Sequence, residues 1–72
     1  MKRMTLKTAR LAQGLTQDEL AEKSGVSQAS IVKYERDPDA DPAVSIVDKL
    51  EAALSLKRGT LIFGRQQQRK AS

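Results

Sequence analysis

The residues that come nearest to a metal-binding set are three alternating aspartates, Asp37, Asp39 and Asp41, in the stretch RDPDADP. Alternating carboxylates are typical of EF-hand calcium loops, but such loops also need a central glycine and a distal glutamate. This stretch has neither, and its two prolines indicate a turn. We therefore interpret the aspartates as turn and helix-capping residues, and we predict no metal and no cofactor.

The sequence contains few of the residue types and motifs that enzymes use for catalysis. The 72 residues include no cysteine and no histidine, which excludes disulfides, thiolate nucleophiles and the usual zinc ligands. There is no glycine-rich phosphate loop, and so small a chain has no room for a substrate pocket of ordinary size. We predict that the protein is not an enzyme. No apolar run approaches the roughly 18 residues of a membrane span, and no signal peptide is evident, so we expect no membrane partner.

The net charge of the chain indicates what kind of partner it could bind. Thirteen basic residues against nine acidic ones give a net charge of +4. In so small a domain this excess fits a polyanionic partner, although it also fits a mildly basic soluble surface.

Tyr34 and Phe63 are the only aromatic residues, so the core must be aliphatic and thin. Dimerisation would be a natural supplement to its stability.

Helix signals divide the first half of the chain into three short helices. Gly14 ends the first, as a residue that tolerates a positive φ after a helix. Thr16 and Glu19 form a capping box at the start of the second, and Gly25 follows its end. Ser27 is a candidate N-cap for the third. The predicted ranges are 4–13, about 17–24, and 28 to 35 or 36.

The second half is predicted to hold a loop and a fourth helix, with Asp41 as N-cap and Pro42 at the first helical position. An apolar stripe then follows at spacings of three and four residues: Val44, Val47, Leu50, Ala53 and Leu54. Residues 60–63 could be a short fifth helix or a strand. Residues 65–72 are polar and basic, and we expect them to be disordered. The prediction is one all-α domain over residues 4–64, a compact bundle of four to five short helices with a central helix-turn-helix.

The second and third helices, each of about eight residues and joined by a short turn at Gly25, have the spacing of a helix-turn-helix. The surrounding residues resemble the lambda-repressor-like domains of the Cro and CI type, or XRE family, over about residues 6–64. The likeness is carried by Leu15-Thr16-Gln17, Leu20-Ala21, Gly25-Val26-Ser27, Ile31, Glu35, Leu50 and Leu54. Asp37, followed by Pro38, stands where the family often has glycine, so DNA contacts from the following loop are not carried over. Val32 is a separate departure, at a position where serine is common.

The resemblance implies that the third helix lies in the major groove of DNA, with its N-terminal residues on base edges. Gln28 can make a bidentate contact to adenine, and Lys33 can donate to guanine. Ala29 and Val32 can pack on thymine methyl groups, and Ser30 lies nearby. The alternative for this set is an ordinary solvated helix face.

The resemblance also assigns residues to the DNA backbone and to the frame of the domain. Gln17 is expected to touch a phosphate and to brace Gln28; otherwise it is a simple first-turn polar residue. Arg10 and Glu35 are expected to form an ion pair that ties the first helix to the end of the third. Thr16 and Ser27 are expected to act first as caps, with phosphate contacts through nearby amides. Charge alone makes phosphate candidates of Lys7, Lys23 and Arg36, which could instead be ordinary surface residues.

The function that follows is a sequence-specific transcriptional regulator, a repressor in our interpretation, that binds a palindromic site on double-stranded DNA as a homodimer. It would act in the cytoplasm of a bacterium, on bacterial or phage DNA at the nucleoid. The alternative is an antitoxin of the HipB type, because the stretch from Gln28 to Asp39 resembles those proteins; it would bind a toxin protein as well as DNA. The expected dimer contacts, which could instead belong to the intramolecular core, are Leu56, Leu61, Ile62 and Phe63.

Overall fold

The computed structural model describes residues 3–37 and 39–63. This part of the chain contains four helices: α1 (Leu6–Ala12), α2 (Gln17–Ser24), α3 (Gln28–Arg36) and α4 (Val44–Ala53). The predicted all-α fold with a central helix-turn-helix is confirmed. The predicted tail, 65–72, and the domain boundary at Gly64 lie outside the described residues, as does Pro38. None of the four helices is both long enough and apolar enough to cross a membrane.

The first three helices begin at hydroxyl side chains that cap their free amides. The Thr5 hydroxyl accepts from the amide of Thr8, so α1 begins two residues later than predicted. At α2, the amide of Glu19 donates to the Thr16 hydroxyl at 3.0 Å, and the amide of Thr16 donates to the Glu19 carboxylate at 2.8 Å. Ser27 accepts from the amide of Ser30 in the same way. The predicted starts of α2 and α3 are confirmed, since these caps depend only on local sequence.

The predicted start of α4 at Asp41 and Pro42 is wrong. The helix begins at Val44, with Ala43 as N-cap and no side-chain capping bond. Ala40 and Pro42 are both buried, so the chain first packs against the domain in a non-helical conformation and turns into a helix only afterwards. Val44 was predicted to belong to the buried stripe, but it lies in the first turn and is 68% exposed.

The core is mostly aliphatic, as the composition requires, and it includes the aromatic side chain of Phe63. α2 packs against α3 and α4, and α1 packs against α3. Every helix contributes one fully buried side chain, and these are Leu6, Leu20, Ile31 and Leu50; the C-cap residue of α4, Leu54, is fully buried as well. The arrangement buries one face of each helix of the helix-turn-helix and leaves the outer face of α3 to solvent.

The segment after α4 forms neither a fifth helix nor a regular strand. Leu61 makes one isolated parallel β-bridge with Met4. The amide of Met4 donates to the carbonyl of Thr60 at 2.9 Å, and the amide of Ile62 donates to the carbonyl of Met4 at 3.0 Å. Residues 60–63, which have high β-propensity, therefore make their β-type hydrogen bonds to a single residue from the opposite end of the described chain.

Candidate nucleic-acid interface

The turn between α2 and α3 sets the direction of the third helix. Gly25 has φ 79° and ψ 8°, in the left-handed region, which a glycine adopts without the steric cost of a side chain. Its amide donates to the carbonyl of Ala21 at 2.9 Å. Val26 is buried beneath the turn, and Ser27 then caps α3. This makes Gln28 the first helical residue and places it at the exposed end of α3.

α3 has two distinct faces. Ile31 is fully buried, and Tyr34 packs edge-on against Phe63 with ring centroids 6.3 Å apart. On the other face, Gln28, Ala29 and Lys33 are exposed, and Ser30 and Val32 are half-buried. The five residues predicted to contact bases thus share the solvent side of one helix, at its N-terminal end and middle.

The hydroxyl of Ser30 has a partner within the helix cap. The Ser27 hydroxyl donates to it at 2.9 Å, and the same Ser27 oxygen accepts from the amide of Ser30. The two serines therefore hold each other at the start of α3. The hydrogen of the Ser30 hydroxyl can still donate to an external acceptor, because the Ser27 contact uses only its oxygen lone pair.

An open depression lies beside this face where α1, α2 and α3 meet. We call it the basic cleft; its lining residues are Lys7, Gln17, Val32, Glu35 and Arg36. Val32, a predicted base contact, thus lines the same depression as three predicted phosphate contacts. The third lysine or arginine candidate for a phosphate contact, Lys23, is exposed near the end of α2 and is not part of this lining.

The acidic residue in the cleft is neutralised by a buried partner. Arg10 Nε donates to Glu35 Oε2 at 2.7 Å and Arg10 Nη2 donates to Glu35 Oε1 at 3.0 Å. The side chains are only 9% and 6% exposed. Arg10 Nη1 also donates to the carbonyl of Leu15 at 2.8 Å. The arginine thereby connects α1 to the chain entering α2 and to the last turn of α3.

The charge states of this pair follow from its contacts. Burial by itself would raise the pKa of Glu35, but hydrogen bonds from Arg10 and Gln17, with the positive charges of Arg10 and Lys7, lower that pKa overall. The hydrogen bonds to Glu35 raise the pKa of Arg10, against the opposite effect of burial. Both groups are therefore charged near neutral pH, and the carboxylate in the cleft is held ionised.

Gln17 has a different partner from the one expected. Its Nε2 donates to Glu35 Oε1 at 3.1 Å, so its hydrogen bond within the domain braces the end of α3 rather than Gln28 at its start. A carboxylate accepts hydrogen bonds and repels a carbonyl oxygen, which fixes the nitrogen of the amide as the atom nearer to Glu35.

The four residues expected at a dimer interface divide into two pairs. Leu61 and Phe63 are buried in the core of the chain itself, Phe63 against Tyr34. Leu56 and Ile62 are half-buried at its edge. The burial of the first pair is the alternative that the sequence left open, and the second pair retains surface for a partner.

Two polar residues that fix the C-terminal segment were not singled out from the sequence. Glu51 is 2% exposed, and its Oε2 accepts from the amides of Gly59 and Leu61, each at 3.0 Å. Gln13 donates to the carbonyl of Leu54 through its side-chain amide. Glu51 lies four residues after Val47 and three before Leu54, on the buried stripe of α4, so its spacing was a usable signal.

The alternating aspartates behave as a turn. The amide of Asp39 donates to Asp37 Oδ1 at 2.9 Å, which is the geometry of an Asx turn. Within residues 3–37 and 39–63, no group of three acidic side chains is arranged so that it could hold a metal ion.

Comparison with known proteins gives one result. A family model described as helix-turn-helix matches residues 6–61. No curated protein and no solved structure matches the chain. The matched range includes all four helices and the whole basic cleft. The chain therefore belongs to the helix-turn-helix family of the Cro and CI type, a family of DNA-binding regulatory domains.

Proposed function

We propose that the chain is a sequence-specific transcriptional repressor that inserts α3 into the major groove of its operator. The observation that supports this most is the basic cleft, because Val32 on the outer face of α3 lines the same depression as Lys7, Gln17 and Arg36. A helix lying in a major groove is flanked by phosphates. Cations and an amide directly beside the base-reading face are what such a position requires.

The outer face of α3 supplies chemistry for bases. Gln28 reads adenine through N6 and N7, and Lys33 donates to O6 or N7 of guanine. Ala29 and Val32 pack against thymine methyl groups. Ser30 has one hydroxyl hydrogen for a base or a phosphate. Good bidentate pairs discriminate by about 1–3 kcal/mol each, so one helix specifies only a short sequence.

Contacts to the DNA phosphate backbone are assigned to the residues around this face. Lys7, Arg36 and Gln17 hold the phosphates nearest to the cleft, and Lys23 holds one farther along α2. Thr16 and Ser27 act first as caps, and they contribute through the amides at the starts of α2 and α3.

The operator is read by a homodimer in this proposal. Two copies of α3, one helical turn of DNA apart, read a palindrome. Leu56 and Ile62, which keep exposed surface, are the direct contacts, while Leu61 and Phe63 support them from the core. The repressor acts in the bacterial cytoplasm, on bacterial or phage DNA.

The experiment is a binding titration against operator DNA selected from random sequence and against unrelated DNA, over a range of salt concentrations. Log affinity should fall linearly with log salt for both, and the selected DNA should bind at least about 10³ times more tightly. Equal affinity for the two DNAs would contradict sequence-specific regulation.

The second candidate is an antitoxin, supported by the resemblance of the stretch from Gln28 to Asp39 to HipB-type proteins. This function adds a toxin partner to the same DNA-binding surface. Affinity capture from the native cell decides between them: a stoichiometric protein partner encoded by the adjacent gene identifies an antitoxin, and recovery of the chain with DNA alone identifies a free-standing repressor.

A further inference from the structure

Glu35 occupies an unexpected place for an acidic residue. It lines the basic cleft beside Lys7 and Arg36, where the proposed function places DNA phosphates, and its side chain is only 6% exposed. An unpaired carboxylate there would repel the DNA. Arg10 removes that repulsion by pairing with it from the protein side.

One oxygen of the Glu35 carboxylate accepts a second hydrogen bond besides the one from Arg10. Glu35 Oε1 accepts from Arg10 Nη2 at 3.0 Å and from Gln17 Nε2 at 3.1 Å. A primary amide has two hydrogens on its nitrogen, and the second hydrogen of Gln17 makes no hydrogen bond within the described residues. The contact therefore holds the Gln17 nitrogen at the cleft with one donor unused.

From this geometry we infer that Glu35 is a positioning residue for DNA binding, which fixes the Gln17 side-chain amide so that its second hydrogen donates to a backbone phosphate in the basic cleft. The inference rests on the proposed function. Without Glu35, a glutamine side chain would rotate among several rotamers and present its oxygen to the phosphate as readily as its nitrogen. With Glu35, the donor is set before the DNA arrives.

The test replaces the ion pair without changing the net charge. In the double variant Arg10→Met, Glu35→Leu, no charge is stranded, and replacing a buried ion pair with apolar residues is often neutral or stabilising. The variant loses one positive and one negative charge, so general attraction to DNA is retained. We expect the affinity for selected operator DNA to fall by about tenfold for each subunit, the effect of a hydrogen bond to a charged group.

A second substitution separates positioning from a general structural effect. Gln17→Ala alone should weaken binding by a similar factor, and adding it to the double variant should cause no further loss. The double substitution could also weaken DNA binding by the same factor in a protein that already carries Gln17→Ala. The pair would then act on DNA by another route, such as the Arg10 bond to Leu15, and the inference would be overturned. Unchanged binding by the double variant also overturns it.

The unaltered protein provides a readout that does not depend on the variants folding. In free wild-type protein, the NMR signals of the two Gln17 side-chain amide protons report on the contact with Glu35. Both signals should shift as acid protonates Glu35, the carboxylate that Arg10, Lys7 and Gln17 surround. Signals that do not follow this titration would overturn the inference. Failure of the proposed function is distinguishable, because the wild-type protein would then show no preference for selected DNA.

Discussion

The guanidinium of Arg10 and the carboxylate of Glu35 form a two-point contact between α1 and the end of α3, with their closest atoms 2.7 Å apart. Such bidentate pairs fix direction as well as distance. Because both side chains are buried, the pair positions the DNA-reading helix against the rest of the domain. Its two members depend on each other, since either one alone would be an uncompensated buried charge.

Arg10→Met should therefore lower the free energy of unfolding by about 3 kcal/mol, a large fraction of the roughly 4–11 kcal/mol expected for a domain of this size. Urea unfolding followed by circular dichroism measures the change. Arg58→Met is the matched control, because Arg58 pairs with Asp48 on the surface, with 80% of its side chain exposed, and should change stability little. Equal losses in the two variants would contradict the structural role of the buried pair.

The free energy of unfolding should also depend on pH, because folding changes the pKa of Glu35. Its folded-state pKa is lowered, chiefly by Arg10 and Gln17 against the opposing effect of burial. The stabilisation is therefore complete above the unfolded pKa of about 4.3 and is lost as pH falls through the lower folded value. As pH falls below about 4, the wild type should lose unfolding free energy relative to Arg10→Met, Glu35→Leu, because the variant lacks this carboxylate. A constant difference across that range would show that Glu35 has the same pKa folded and unfolded.

Two single substitutions should divide base reading from phosphate binding. Gln28→Ala should reduce the preference for selected DNA by about 1–3 kcal/mol at one base position, while its affinity for random DNA stays near that of the wild type. Lys7→Ala should weaken both DNAs alike and reduce the slope of log affinity against log salt by about 1 per subunit. Binding to operator variants over a salt series measures both effects. If the two variants behave identically, the assignment of the outer face of α3 to base reading is wrong.

Glu51→Ala should destabilise the C-terminal segment by about 3 kcal/mol, because it removes the acceptor of a buried hydrogen bond from the Leu61 amide and of a part-buried one from the Gly59 amide. Hydrogen exchange of those two amides should accelerate more than exchange in α2. Glu22→Ala, an exposed acidic position on α2, is the control and should stay within about 0.5 kcal/mol of the wild type. Unchanged exchange at residues 59 and 61 would mean that the carboxylate does not hold the segment.

The elements predicted well are those specified by neighbouring residues. The capping box of Thr16 and Glu19, the left-handed turn at Gly25 and the cap at Ser27 each act over three or four residues, so α2 and α3 have nearly their predicted bounds. These local signals also determine which face of α3 is exposed. Most of the helix-turn-helix can therefore be derived from a short stretch of sequence.

The features predicted poorly depend on residues far away in the chain. Asp41 and Pro42 form a sound local helix start, but burial of Ala40 and Pro42 delays α4 to Val44. The conformation of residues 60–63 depends on Met4, which no local pattern could indicate. Similarly, the partner of Gln17 is Glu35, at the far end of α3.

The bridge between Met4 and Leu61 closes a loop that contains all four helices. The entropy of closing a loop grows with its length, and contacts between distant residues form slowly. α2 and α3 need only a short turn to meet. We therefore expect the helix-turn-helix to assemble before the bridge closes, so that substitutions at Met4 or Leu61 speed unfolding while leaving the folding rate nearly unchanged.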